Sequence, residues 1–274
     1  MQITAIMLCD DGMYFDGLKT INSLKYFHPE INIVKYGTAE IKALKDKYKF
    51  DDSLWFSDSC LLDDFISKNE FPDILIKIGA DCIVLDTLDE VLNGNYDVAC
   101  PRNDPDQIEG RDEKHNRPDI LRELPNRNWV NADFIAIKNI DFIHAYHSQN
   151  MRYQNGVEWA LKDFGKVYKG DSMSSLNVVF HCNGFNAKIL DPFGSDLIYG
   201  GSGNWGKDGN SWSSWQDIYF DGTKSIMPDG GRGTGVRTVK CLHQGGGYKS
   251  DKLNFGLFNT EFRKHLEKIT GFSN

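Results

Sequence analysis

The sequence predicts an α/β protein with a mostly parallel sheet flanked by helices on both faces. Three observations predict it. Residues 1–140 alternate short apolar runs with stretches of helical spacing, the order that parallel sheets with crossover helices require. Polar segments rich in Asp and Gly ("DDG", "GAD", "PRND") fall at or near the ends of the apolar runs, where sheets of this kind collect their ligands. The last third then loses periodicity: fourteen of the 26 glycines lie between Gly194 and Gly247.

The elements follow in order. Ile3–Cys9 reads as a buried strand. Phe15–Phe27 carries Leu18, Ile21, Leu24 and Tyr26 near helical spacing, with Pro29 as its stop. Ile31–Tyr36 predicts a second strand and Ala39–Tyr48 an exposed, lysine-rich helix. Asp73–Ile78 and Cys82–Leu85 are apolar runs split by "GAD", and Val98–Cys100 is a further strand. Asp86, Asp89 and Glu90 read as an N-cap and first-turn acids of a short helix between them. Asn103–Arg127 reads as a long polar loop or lid. "NWVNADFIAIKN" restores strand character, His144–Phe164 predicts a helix, and "LNVVFH" fits the end of a helix or a strand. The glycine-rich part also holds Trp205, Trp212 and Trp215, and predicts an irregular binding surface. Asn259–Ile269 predicts a closing helix. The expected organisation is one domain, 1–274, with a nucleotide-binding half (1–140) and an acceptor-side half (141–274).

The balance is acidic, 39 Asp and Glu against 31 Lys and Arg, which argues against a nucleic-acid or anionic-membrane partner. No segment has the length of a membrane span. The six cysteines are scattered without a C-x-x-C pair, and Cys9, Cys82 and Cys100 lie beside apolar runs as small hydrophobes. With no cationic leader, a reduced, cytoplasmic protein is expected.

Three segments carry chemistry. Asp81, in "IKIGADCIVLD", follows a strand end between small residues. It reads either as a turn aspartate or as a carboxylate for Mg²⁺ or Mn²⁺ bridging phosphate oxygens. In "CLHQGGGYKS", His243 offers an imidazole, the glycines offer free backbone N–H groups, and Lys249 offers a point charge. A solvent loop is its other reading. In "DDGMYFDG", Asp10, Asp11 and Tyr14 suit a nucleobase and ribose, or a helix cap beside a half-buried tyrosine. His144 and His147 stand at i, i+3 without an evident third ligand and read as a solvated helix face. Arg111, Arg117 and Arg122 read as surface charge, or as a clamp for diphosphate. The three tryptophans fit stacking on a sugar or packing in the core.

Taken together, these segments resemble the GT-A nucleotide-sugar glycosyltransferases, and most of all glycosyltransferase family 8, the glycogenin and bacterial galactosyltransferase group. "DDGMYFDGLKTINSLKYFHP" resembles the family's opening strand end, base-stacking loop and helix. "IGADCIVLDTLDEVL" resembles its Asp-x-Asp segment, and "VNADFIAI" its N-A/S-G-V strand. "SMSSLN", ending at Leu176–Asn177, echoes its D-Q-D-x-L-N, and "HQGGGYK" matches its H-x-x-G-x-x-K. The likeness spans roughly residues 1–250. Departures accompany it. Gly79 stands at the first Asp of Asp-x-Asp, and Asp133 stands at the usual Gly. Ser172, Met173 and Ser174 replace D-Q-D, and the family's P-W after the lysine is absent.

The resemblance implies a GT-A-like, Rossmann-like mixed sheet and a hexosyltransferase-type enzyme. It implies transfer from a UDP-sugar to a glycan or other hydroxyl acceptor, with retention of configuration. A metal, Mn²⁺ or Mg²⁺, would rest on Asp81 and His243. Cofactor binding would fall to Asp10, Asp11, Tyr14, Lys77, Ala80, Gly246 and Lys249, and catalysis to Asp133, Asn131 and Lys249. The expected partners are the donor and a carbohydrate acceptor, with a homo-oligomer open. A sugar-phosphate nucleotidyltransferase and an inactive carbohydrate- or nucleotide-binding protein are the other readings.

Overall fold

The computed structural model describes residues 1–49, 57–101, 130–155, 160–163, 166–169, 172–190, 199–200, 218–227, 236–243 and 258–273. The first half opens with β1 (Ile3–Leu8), a 3₁₀ turn (Asp11–Met13) and α1 (Tyr14–Phe27). β2 (Asn32–Tyr36), α2 (Thr38–Tyr48) and α3 (Ser57–Lys68) follow. Then come β3 (Ile74–Ile78), β4 (Cys82–Val84), α4 (Asp89–Leu92), β5 (Val98–Pro101) and β6 (Phe134–Ile137). The second half contains α5 (Ile140–Asn155), the hairpin of β7 (Ala160–Asp163) and β8 (Lys166–Lys169), α6 (Ser172–Cys182) and β9 (Ala187–Leu190). Short strands β10 (Tyr199–Gly200), β11 (Tyr219–Phe220), β12 (Ser225–Met227), β13 (Arg237–Thr238) and β14 (Cys241–His243) lead to α7 (Thr260–Thr270).

A six-stranded sheet in the order β2-β1-β3-β6-β5-β9 forms the centre. It is mixed: β1 pairs in parallel with β2 and β3, and β5 with β9, whereas β6 runs antiparallel to both its neighbours. β1 and β3 read as almost continuous apolar runs because both their faces are covered. Their side chains alternate between two cores. Ile3, Ala5, Met7, Ile74, Ile76 and Ile78 join the core beneath α1, together with Leu24. Ile6 and Leu75 join the opposite core, with Leu61, Phe65, Phe142, Tyr146 and Val179 from α3, α5 and α6. The α1 layer comes close to the strand end: a Cβ at Gly17 would lie 2.3 Å from the Cys9 sulfur, so only glycine permits this approach.

A second sheet, β10-β14-β4, sits beside the first. Its core joins Ile83, Leu85 and Leu242 to Phe262, Leu266 and Ile269, which recur at helical spacing along one face of α7. Asn259 caps that helix by accepting from the Phe262 N–H at 3.0 Å.

Several sequence-based expectations change. The helix expected over 144–164 ends at Asn155, and Ala160–Asp163 instead pairs with Lys166–Lys169. The Asn155–Gly156 turn signal separates the two, and cross-strand pairing overrides the helical composition of "ALKD". "SMSSLNVVFHC" is helix, and the short helix at 89–92 has Leu88 rather than Asp86 as its N-cap residue. The described parts of the glycine-rich region form short strands. Asn103–Arg127 and the three tryptophans lie outside the described residues.

All six cysteines are free thiols; Cys182 is exposed and the others are buried. Among the described residues, no helix is long and apolar enough to cross a membrane.

Candidate functional site

The site is assembled by two ladders that meet at the carboxyl end of β3. In the first, β6 runs antiparallel to β3 with Ile78 opposite Phe134, so the next pair is Gly79 and Asp133. The Gly79 N–H donates to the Asp133 carbonyl at 2.7 Å and extends that register by one step. In the second, β14 pairs with β4 so that His243 stands opposite Cys82, one residue beyond Asp81. A one-residue slip would turn the imidazole to the other face, so the apolar pairs Leu242–Ile83 and Cys241–Val84 fix where it points.

The result is a carboxylate–imidazole–carboxylate cluster. His243 Nε2 lies 3.3 Å from Asp81 Oδ2 and 3.3 Å from Asp133 Oδ2. His243 is buried, and both aspartates are partly buried. Burial opposes charge on the imidazole, but Asp133 and Asp81 outweigh it and push its pKa up to about 10. Burial likewise opposes charge on Asp81, and the facing imidazole lowers its pKa in spite of that. Asp81, Cys82 and His243 present potential ligand atoms within 4.8 Å of one another. A hydrogen bond with Cys241 and full burial push the Cys82 thiol well above its usual range, so it stays protonated and ill suited to a hard cation.

The surrounding residues hold the cluster in place. Asn131 is buried, and its Oδ1 accepts from the Asp133 N–H at 2.7 Å, closing a side-chain turn that presents Asp133. Asn177 of α6 clamps the start of this segment from both sides: its Oδ1 accepts from the Val130 N–H at 2.7 Å and its Nδ2 donates to the Val130 carbonyl at 3.0 Å. Lys77 differs from the cofactor-facing lysine expected. It is buried, on the face of β3 turned to α3, where its ammonium pairs with Asp58 at 2.7 Å and donates to the Ala132 carbonyl at 2.8 Å. Burial opposes its charge, yet Asp58 and then Asp133 raise its pKa. Lys77 therefore supports the Asn131–Asp133 turn from below. Ala80 is also buried, and its carbonyl accepts from the Thr20 hydroxyl at 2.7 Å.

Asp10, Asp11 and Tyr14 leave β1 at the same end of the sheet. β1 and β3 are parallel, with Ile6 opposite Lys77, so Asp10 and Asp81 each lie four residues beyond a paired position. Asp10 Oδ1 caps the 3₁₀ turn by accepting from the Met13 N–H at 3.0 Å, and the Asp11 N–H donates to the Thr38 hydroxyl at 3.1 Å. Tyr14 is exposed, with the Lys35 ammonium 5.2 Å from its ring centroid. Gly246 and Lys249 lie outside the described residues. Of the helix face read as solvated, His144 is exposed, whereas His147 is partly buried, packs edge-on to Tyr48, and has its pKa lowered by burial.

The sequence showed neither Asp58 nor the work of Asn177. The only signal for Asn177 was its place at the end of the echoed "SSLN". For Asp58 there was none, since its partner Lys77 lies on a distant strand.

No protein-family model matches the chain, and no curated protein matches it by sequence. Solved structures do match. The apo structure of the bifunctional glycosyltransferase WbbM superposes with a TM-score of 0.55 at 14% identity, over 99% of this chain and 50% of that one. The chain thus spans half of the WbbM chain. The galactosyltransferase LgtC, in complex with donor and acceptor sugar analogues, gives 0.54 at 13% identity over 98% and 95% of the two chains. Mouse xyloside xylosyltransferase 1 gives 0.51 at 10% identity over 92% and 100%. With its mixed sheet, flanking helices and site at the strand ends, the chain has the GT-A-like fold of these glycosyltransferases.

Proposed function

We propose that the protein is a glycosyltransferase, hexosyltransferase-like, that takes a sugar from a UDP-sugar and places it on a glycan or other hydroxyl acceptor with retention of configuration. The observation that carries this reading is the meeting of Asp81 and His243, 3.3 Å apart, at the carboxyl end of β3 in this fold.

The donor set fits a hard divalent cation, Mn²⁺ or Mg²⁺: carboxylate oxygens and one imidazole, with the neighbouring thiol kept protonated. Held by Asp81 and His243, such a cation would neutralise the charge that develops on the departing diphosphate. The chain's own groups supply the rest. Tyr14 offers an exposed ring for the base, with Asp11 beside it for base or ribose donors. The Gly246 backbone N–H and the Lys249 ammonium receive the diphosphate, in the sequence that continues directly from β14. Asn131 and Asp133 border the sugar, and Lys77 holds their turn.

Thermal shift with UDP, GDP and CDP, with and without Mn²⁺, tests donor binding. The expected result is stabilisation by UDP that grows with Mn²⁺; no shift with any nucleotide overturns the reading. A second reading, a nucleotide-sugar-binding protein without transferase activity, draws on one observation. The His243 imidazole is engaged by both carboxylates and so pairs their charge without a cation. Binding of UDP-sugars with neither transfer nor hydrolysis would select that reading.

A further inference from the structure

We propose that Asp133 is the second carboxylate of the divalent-cation site, supplied across the β3–β6 ladder in place of the one that position 79 lacks. The inference rests on the proposed function and names a ligand which that reading leaves out.

The argument begins with space at position 79. A Cβ added to Gly79 would lie 2.8 Å from Asp81 Oδ1 and 3.2 Å from Cys82 Sγ. A side chain there would push the Asp81 carboxylate from its present position beside His243. The residue directly opposite Gly79 is Asp133. Cross-strand neighbours in an antiparallel pair carry their Cβ atoms about 4.5–5.5 Å apart, close enough for one to serve the same point in space as the other.

Geometry agrees with it. Neighbouring ligands of an octahedral cation bound at about 2.1 Å stand about 3 Å apart. His243 Nε2 is 3.3 Å from an oxygen of each aspartate, so the imidazole nitrogen is the point on which both carboxylates converge, while the ligand atoms already within 4.8 Å of one another are those of Asp81, Cys82 and His243, to which a cation would draw the Asp133 carboxylate. The turn that presents Asp133 is held by Asn131, Lys77 and Asn177, as a ligand that must not move requires. The Lys77 ammonium, paired with Asp58 at 2.7 Å, lies near enough for Asp133 and Asp81 to feel its charge.

Mn²⁺ alone, titrated by calorimetry and by loss of its free-ion paramagnetic resonance signal, tests the proposal on the full chain. The variants are Asp133→Asn, Asp81→Asn and, as a remote control, Glu261→Gln. The expected result is a loss of Mn²⁺ affinity of about 10–100-fold in Asp133→Asn, at least that of a lost supporting partner, alongside a similar loss in Asp81→Asn and none in Glu261→Gln. Wild-type circular dichroism of Asp133→Asn, whose side chain has the same shape, shows that the fold is kept and the loss is one of ligation. Wild-type affinity in Asp133→Asn with loss in Asp81→Asn overturns the proposal and leaves the donor site standing. UDP binding by a wild-type protein that takes up no Mn²⁺, with or without the nucleotide, also overturns it. The proposed function fails separately, through the absence of any nucleotide shift.

Discussion

Two buried acidic clusters in this protein look alike in composition and differ in charge balance. At the joint of α2, α3 and β2, Asp64 receives Lys68 at 2.6 Å, Lys47 at 3.0 Å and the Tyr36 hydroxyl at 3.2 Å. Both lysines reach in from solvent while the carboxylate is buried, so the negative charge is more than matched and its surroundings are complete. At the end of β3 two aspartates face one imidazole, and among the described residues the Lys77 ammonium beneath them is paired with Asp58. The first arrangement fastens helices to a strand. The second gathers carboxylates and an imidazole at the sheet end where ligands collect.

The largest expected effect separates the two by ligand. His243→Ala should lower Mn²⁺ affinity about 100-fold, whereas Asp64→Asn should leave it within a factor of about two; the proposed ligand is lost in one case and a distant brace in the other. Calorimetry measures both, and equal effects would erase the distinction. Next comes stability. Asp64→Asn should cost about 2 kcal/mol in denaturant unfolding, less than a fully buried pair because its lysines can return to water. No loss would show that the cluster contributes only geometry.

A smaller effect lies in the pH dependence of the metal-free protein, where the two clusters should respond in opposite directions. Burial opposes charge on Asp64, but its bonds with Lys68 and Lys47 hold the pKa below the usual carboxylate value. Its contribution is therefore present above the unfolded pKa of about 3.9 and is lost as pH falls through the lowered folded value. His243 has a raised folded pKa of about 10. Its contribution is full below about 6.5 and is lost as pH rises towards that higher value. Melting curves of the wild type against Asp64→Asn and His243→Gln should thus converge at the acid end for the first and at the alkaline end for the second. The smallest expected effect is that of Glu261→Gln, at the exposed pair with Lys264, which should change stability by less than about 0.5 kcal/mol.

The parts of this architecture that could be read from the sequence are those written in local pattern. β1 and β3 are apolar runs, α1 has its helical stripe and proline stop, and α7 has an apolar residue at every turn of one face. His243 could be singled out because its spacing to Gly246 and Lys249 is a short-range signal. What escaped reading depends on register between distant segments. Nothing near Asp133 in the chain says that it faces Gly79, because that follows from β6 pairing antiparallel to β3. Lys77 looked available because a lysine in an apolar run has no visible partner, and Asp58 becomes one only when α3 packs on that face. β7 reads as the end of a helix because "ALKD" suits either state, and only its pairing with "KVYK" decides.

The site straddles two sheets, since Asp81 and Asp133 issue from the large one and His243 from β14 in the small one. β14 has only three residues, paired with β4 and β10 and anchored by Leu242 in the core under α7, and a three-residue strand is a candidate for opening below the global free energy. Such an opening would carry the imidazole away and leave both carboxylates where they are. A bound cation, by tying β14 to the large sheet, would slow hydrogen exchange at the Leu242 amide far more than at Ile76. Exchange at β14 would thus report occupancy of the site from one wall of it.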